Sequence, residues 1–160
     1  MGRALIALGV VLVLGGCGSP YAGSNVGQQV ESWASTYKFA TAMSTLQGDI
    51  RRISAAQSSE DDAALRTDCD VLVTDALSAN QNLPTPDSQL TNVLSRAYTS
   101  AANAGKDCLC AAGGHTCPAG VRGKADLWRG SAAERSAAQR GFIEAEARVD
   151  FLGVLSDGRR

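Results

Sequence analysis

The chain has 160 residues, of which 44% are hydrophobic and 19% are charged, and it carries 15 basic and 16 acidic side chains. The near-neutral net charge of −1 argues against a nucleic-acid partner and against a polybasic membrane-binding patch. This length is enough for one domain with a hydrophobic core of its own, so we expect a single folded domain.

The first 17 residues have the pattern of an export signal. Arg3 precedes an eleven-residue apolar run from Ala4 to Leu14, as the charged and apolar regions of a secretory signal peptide require. The run is too short to span a bilayer, which takes roughly 20 apolar residues. The next residues, Leu14-Gly15-Gly16-Cys17, resemble the bacterial lipobox, whose cysteine receives a diacylglyceryl group before the signal is cut. The resemblance implies that residues 1–16 are a lipoprotein signal peptide; the alternative is an ordinary signal peptide followed by a chance cysteine.

The lipobox predicts where the mature protein is held. Cys17 would be its first residue and would carry diacylglyceryl and N-acyl lipid, with no other cofactor expected. Each buried CH₂ of an acyl chain contributes about 0.8 kcal/mol, and two chains anchor a protein stably. Residues 17–25 are small and polar, typical of a flexible tether spanning on the order of 15 Å. We therefore expect residues 26–160 to form a domain at the extracytoplasmic face of the cell membrane.

The mature chain begins with a strong helical pattern. Apolar residues recur at steps of three and four from Val26 to about Ala56, which predicts one long first helix. The predicted inner face consists of Val30, Trp33, Tyr37, Ala40, Met43, Leu46, Ile50 and Ile53. Gly48 lies inside this helix, where glycine costs roughly 1 kcal/mol relative to alanine, so we expect a bend or a close helix contact there.

Two further helices follow after short connections. The acidic run Ser58–Asp62 could attract a cation, but helix capping is the favoured interpretation, since serine and carboxylates suit a helix N-terminus. The second helix runs to about Asn80. Thr85 is the predicted N-cap and Pro86 the first residue of the third helix. Inner positions of the second helix are Leu65, Cys69, Leu72 and Ala76, with Leu77 as a further candidate, and those of the third are Leu90, Leu94, Ala97, Ala101, Ala104 and Cys108. Because the side chains on the inner face of the third helix change from leucine to the smaller alanine, a neighbouring helix should approach closely at its C-terminal end.

A long irregular segment, residues 111–130, precedes the last predicted helix. It is rich in glycine, and loops of this length are usually functional or mobile. Trp128 would be a partner anchor if it were exposed, although we expect burial under the loop. Ser131 and Glu134 form a capping-box pattern at the start of the last helix, and Gly158 is its candidate C-cap. The prediction is an all-α, antiparallel up-down four-helix bundle with a disulfide-containing loop between helices 3 and 4.

The four remaining cysteines, Cys69, Cys108, Cys110 and Cys117, are an even number in an oxidising compartment, which predicts two disulfides. Cys69–Cys108 with Cys110–Cys117 is favoured, because Cys69 and Cys108 both lie on inner faces of consecutive helices. Antiparallel packing, however, places Cys69 about seven residues above Cys108, roughly 10 Å along the axis, and a disulfide needs Cα atoms within about 7 Å. Either the proline connection offsets the two helices, or Cys69 pairs with Cys110 (and Cys108 with Cys117) or with Cys117, or thiols stay free.

A metal site is the alternative use of the same segment. Cys108, Cys110, His115 and Cys117 offer three sulfurs and one imidazole within ten residues, a donor set that suits copper(I) or zinc. The spacing matches no metal motif known to us, and the thiols would have to escape oxidation. We therefore expect no bound metal and take His115 as an exposed loop residue.

No enzymatic activity is expected. The sequence has one histidine, no Gly-x-Ser-x-Gly elbow and no phosphate-binding Gly-Lys-Ser/Thr loop. Asp68 and Asp70 flank Cys69, but alternate residues of a helix do not face each other, so they are no evident acid–base pair.

The mature chain resembles the small alanine-rich helical lipoproteins of actinobacteria, the high-GC Gram-positive bacteria. The features that carry the resemblance are the lipobox, Asp49-Ile50-x-x-Ile53, Cys69 with Leu72, Pro84-x-Pro86 and Cys108. The resemblance implies the location and the helical fold and no particular activity, and the cysteine-rich loop departs from a simple one-disulfide bundle.

Three functional hypotheses remain open at this point. The first is an envelope interaction or scaffold protein that binds an envelope protein or a cell-wall component. The second is a thiol-based metal or redox module in residues 108–117. The third is a carrier that holds an apolar ligand between its helices.

Overall fold

A computed structural model describes residues 25–113, 117 and 123–153. Every element in these ranges is a helix, which confirms the all-α prediction. The five helices are α1 (Val26–Thr36), α2 (Phe39–Ser58), α3 (Asp62–Asn80), α4 (Ser88–Ala111) and α5 (Lys124–Phe151). The predicted signal peptide, Cys17, His115 and Gly158 lie outside the described residues. Within the described part, no helix is both long and apolar enough to cross a membrane.

The first predicted helix is in fact two helices, so the predicted count of four is wrong. The chain breaks at Tyr37 and Lys38, where Lys38 adopts a left-handed conformation with φ of 50°. The sequence hides this break, because the apolar spacing continues through it and no glycine or proline marks it. Tyr37 and Ala40, both predicted to be buried, are exposed, and so is Leu77, the further candidate for the inner face of the next helix. Gly48, the predicted bend, lies inside a continuous α2, and a methyl group added there would meet only arginine side-chain ends at 3.7 and 3.9 Å.

Aspartates cap α3 and α4. Asp61 accepts hydrogen bonds from the backbone N–H groups of Ala63 and Ala64, as the capping interpretation of the acidic run requires. The predicted cap of the next helix was wrong: Asp87, not Thr85, accepts from Leu90 N–H at 2.7 Å, so α4 begins at Ser88. The Thr85 hydroxyl instead donates to the Asp87 carbonyl at 2.6 Å and fixes the turn before the helix.

The last helix begins at Lys124, seven residues before the predicted start. Leu127 is buried and Trp128 packs against the core, so the helical face extends back through a segment whose glycines suggested a loop. Ser131 is therefore not a capping residue. It is fully buried inside α5, and its hydroxyl donates to the Ala104 carbonyl of α4 at 2.9 Å. Trp128 is half-buried, as a packing residue rather than an exposed anchor.

Consecutive long helices are antiparallel. Cys69 and Val73 of α3 lie against Cys108 and Gly105 of α4, in the reverse order. The α4–α5 pair runs likewise, with Ala104 near Ser131 and Asp87 near Arg148. The α2–α3 pair runs likewise, with Arg52 near Asp68 and Asp49 near Asp75. The shared core contains the large buried side chains Met43, Leu46, Ile53, Leu72, Leu90, Leu94 and Phe142.

Two glycines allow close approach between helices. A methyl group added at Gly105 would lie 2.6 Å from Val73 Cγ2 and 2.8 Å from the Cys69 carbonyl oxygen. One added at Gly141 would lie 2.7 Å from the Cβ of Ala97. The close approach at Gly105 lies in the C-terminal half of α4, where the alanine-rich face predicts a close neighbour, whereas the approach at Ala97 lies in its N-terminal half.

The helix directions define two ends of the domain. The Asp87 end holds the end of α3, the start of α4 and the end of α5; the disulfide end holds the other termini of these three helices. Helix α1 lies at the Asp87 end. The Trp33 indole N–H donates to the Asn82 carbonyl at 2.9 Å, and a methyl group added at Gly27 would lie 2.5 Å from the Leu152 carbonyl oxygen.

Candidate functional site

The favoured cysteine pairing is present in the structure. Cys69 pairs with Cys108 across α3 and α4, with 5.9 Å between Cα atoms, and both residues are fully buried. Cys110 pairs with Cys117 with 5.2 Å between Cα atoms. These disulfides fasten the disulfide end of the domain.

The connection between α3 and α4 offsets the two helices along their axes and so brings Cys69 level with Cys108. Cys69 lies 11 residues before the last residue of α3, whereas Cys108 lies 20 residues after the first residue of α4. The difference of nine residues corresponds to about 13 Å along the helix axis. Residues 81–87 therefore carry the chain past the end of α3 before α4 turns back, which is the offset that the sequence left open.

Three of the four donors of the alternative metal site are in disulfides. Cys108, Cys110 and Cys117 have no thiolate to offer in this state, because a metal-binding cysteine must be a deprotonated thiol. The fourth donor, His115, lies outside the described residues. Among the residues that are described, no group of three or more His, Cys, Asp or Glu side chains is placed to hold a metal ion.

The junction between α1 and α2 forms a concave surface that the sequence did not indicate. Tyr37 is 44% exposed there, and the following residue, Lys38, holds the left-handed backbone conformation. A non-glycine residue in this region costs of order 1 kcal/mol or more and persists where the surroundings hold it, often at functional positions. The break turns the chain so that Tyr37 stands between two grooves.

The two grooves share the Tyr37 side chain. The groove between α1 and the proline turn has a volume of about 330 Å³ and is lined mainly by Trp33, Tyr37, Pro84 and Pro86 with polar Gln29, Ser32, Thr36 and Thr85. The groove between α2 and α3 measures about 250 Å³, and its lining includes two charged residues, Lys38 and Asp75. Together they form a partly aromatic, partly charged surface, which we call the Tyr37 grooves.

A buried carboxyl group lies behind the second groove. Asp49 of α2 is 0% exposed, accepts a hydrogen bond from Arg52 through Oδ1, and has no hydrogen-bond partner for Oδ2. Asp75 of α3, which lines the groove, is its acidic neighbour. Arg52 also reaches Asp68 of α3, with 3.4 Å between Nε and Oδ1. One guanidinium thus serves two carboxylates across the α2–α3 interface.

This environment keeps a proton on Asp49 to unusually high pH. The pKa of Asp49 is raised from 3.8 to about 6, chiefly by burial, and the Arg52 guanidinium opposes that rise. The Asp75 carboxyl contributes to the same rise, through its charge and through a hydrogen bond that needs a proton on one of the two groups. A protonated Asp49 would satisfy Oδ2, which has no donor when both carboxylates are ionised. Because Asp49 has no solvent-exposed surface, it cannot itself meet a substrate.

Sequence reasoning missed both parts of this site. Asp49 carried a usable signal, since it lies three residues after Leu46 and one before Ile50, on the inner face of its helix. A carboxylate in an apolar stripe is rarely left unpaired. The Tyr37 grooves carried no such signal, because they depend on a break that the apolar period conceals.

A comparison of the chain with protein-family models finds no match, and comparisons with curated proteins and with solved structures find none either.

Proposed function

We propose that this protein is a membrane-anchored extracytoplasmic lipoprotein with a non-enzymatic interaction or scaffold role in the cell envelope. The observation that carries the proposal is the sequence Leu14–Cys17 directly after the apolar run 4–14. The two disulfides support it, because disulfides form and persist in oxidising compartments outside the cytoplasm.

We also propose that α2 to α5 form an antiparallel up-down four-helix bundle to which α1 is added as a short fifth helix. Contacts that join the first and last of these four helices support this arrangement. The Gln47 amide donates to Glu146 at 3.3 Å, and the Arg135 guanidinium donates to Gln57 at 3.2 Å. Arg135 is buried at this interface, and burial lowers the pKa of its guanidinium.

The Tyr37 grooves are the proposed partner-binding face. An exposed tyrosine between two concavities can enter a partner's surface while its hydroxyl stays hydrogen-bonded, which is why tyrosine is common at interface centres. Lys38 and Asp75 on the rim of one groove add charges that would fix the partner's orientation. The proposed partner is another protein of the envelope.

Two measurements in the producing cells test this function. Cys17→Ala should abolish the incorporation of labelled fatty acid that the wild-type protein shows, because the variant has no sulfur to receive a diacylglyceryl group. Equal fatty-acid labelling of variant and wild type would refute the lipoprotein proposal. A photo-crosslinking amino acid at Tyr37 should capture one recurring envelope protein. The matched control is Asn103, an exposed residue of α4, which should capture none. Equal products from both positions, or none from Tyr37, would refute the binding face.

A further inference from the structure

Two apolar side chains are exposed at the Asp87 end. Phe151, the last residue of α5, is 78% exposed, and Val26, the first residue of α1, is 44% exposed. Their neighbours are in contact across the two helices, since a methyl group added at Gly27 would lie 2.5 Å from the Leu152 carbonyl oxygen. We call Val26 and Phe151 the Phe151 patch.

The Phe151 ring is held in place by a paired arginine. The Arg148 guanidinium lies 5.2 Å from the ring centroid. The same group donates two hydrogen bonds to the Asp87 carboxylate, at 3.1 and 2.7 Å. The positive charge beside the ring is therefore already compensated, while most of the Phe151 residue stays exposed.

The chain enters the domain beside this patch. Eight Cα-to-Cα steps separate Cys17 from Asn25, the N-cap of α1, so they span at most about 29 Å. Helix α5 has 28 residues and is about 42 Å long. A lipid on Cys17 is thus tied to the Asp87 end, and the disulfide end lies a helix length away.

We propose that the Phe151 patch enters the boundary between the headgroups and the acyl chains of the bilayer that holds the Cys17 lipid. This inference depends on the lipid anchor of the proposed function and adds the orientation of the domain to it. Two apolar side chains alone bind a bilayer weakly, but a short tether raises their local concentration to the order of millimolar. A weak contact is then sufficient.

The contact is apolar and not an attraction to anionic lipid. Glu31 and Asp150, two exposed acidic residues, belong to the same helices as the patch, and a negatively charged surface would repel them. Binding should therefore persist on zwitterionic lipid and at high salt. With the patch on the membrane, α5 stands away from the surface and the Cys110–Cys117 disulfide projects about 40 Å from it.

Brominated lipids test this orientation, because bromine quenches tryptophan fluorescence only at short range. The full-length lipidated protein, purified from cells, is reconstituted in phosphatidylcholine vesicles with and without brominated acyl chains. The probe variant is Phe151→Trp. The matched control is Ile143→Trp, because Ile143 is 64% exposed on the same helix and about 12 Å further from the patch. The wild type corrects for Trp33 and Trp128, and circular dichroism checks that each variant is folded.

The expected result is strong quenching of Phe151→Trp that is unchanged at high salt, with Ile143→Trp at the wild-type level. Equal quenching of both variants, quenching of neither, or quenching that salt abolishes would overturn the inference. The intact mass of the same sample separates the two proposals. Acylated protein without selective quenching contradicts only the docked orientation, whereas protein without acyl chains contradicts the proposed function and the orientation with it.

Discussion

Replacing Asp49 by asparagine tests the buried carboxyl pair most sharply. Asparagine has nearly the same shape, keeps an oxygen that can accept from Arg52, and adds an N–H group that can donate to the Asp75 carboxylate. It therefore imitates the protonated form of Asp49 and removes the need to ionise a buried group. The variant Asp49→Asn should fold as the wild type does.

The magnitude follows from the pKa of Asp49. A rise from 3.8 to about 6 is roughly two units, and each unit corresponds to 1.36 kcal/mol, so the effect is at most about 3 kcal/mol. Between these two pKa values the folded state binds more protons than the unfolded state. The free energy of unfolding therefore falls as pH rises through this window. At about pH 7.5, Asp49→Asn should be more stable than the wild type by up to about 3 kcal/mol.

The assay is urea unfolding followed by circular dichroism at several pH values, with the disulfides intact. The difference between variant and wild type should be small near pH 4 and should grow to its full value above about pH 6.5. The control is Asp70→Asn, an exposed aspartate of α3, whose curve should run parallel to that of the wild type. If Asp49→Asn is no more stable than the wild type at neutral pH, or if its curve has the same slope, the account of the buried pair is wrong.

Three further predictions concern packing, covalent linkage and charge. Gly105→Ala should lower the free energy of unfolding by about 1–3 kcal/mol, because the added methyl group meets α3. The control Gly48→Ala should raise the free energy of unfolding by up to about 1 kcal/mol, because alanine favours the helix and the added methyl group has room. Equal effects of the two variants in urea unfolding would refute the close approach at Gly105. Replacing both Cys69 and Cys108 by alanine removes a disulfide that closes a loop of 39 residues, and should lower the free energy of unfolding by about 4 kcal/mol in the same assay. An unchanged urea midpoint would contradict this. Asp87→Asn keeps a side chain that can cap the helix but removes the negative charge that pairs with Arg148. The hydrogen bond from Arg148 holds the pKa of Asp87 low. The variant should have a free energy of unfolding about 1–2 kcal/mol lower than the wild type at neutral pH, and this difference should vanish as pH falls below 3.8, where the wild-type carboxylate becomes protonated. A difference that persists in acid would contradict the ion-pair account and assign the loss to the helix cap.

Much of the helical architecture could be predicted because it follows from the spacing of apolar residues along the chain. Residues such as Leu65, Leu72, Leu90 and Leu94 recur with the helical period, and all are buried in the core. The errors lie where a local pattern was consistent with two structures. The helical period continues through Lys38, where the chain breaks, and the glycines near the start of α5 suggested a loop where tertiary packing of Leu127 and Trp128 extends the helix.

The candidate site was less predictable because it depends on how helices are placed relative to one another. The cysteine pairing required an offset of about 13 Å that only the path of residues 81–87 determines. The Tyr37 grooves require the break between α1 and α2. Asp49 alone could have been found, since its position between Leu46 and Ile50 places a carboxylate on the buried face of α2.

The central claim is that Leu14–Cys17 is a processing and lipidation signal. Mass spectrometry of the N-terminal peptide from the membrane-bound protein tests it most directly. The account predicts a mature chain that begins at Cys17 and carries the added mass of a diacylglyceryl group on that cysteine. A mature chain that begins at any other residue, or a Cys17 without fatty acid, would contradict it.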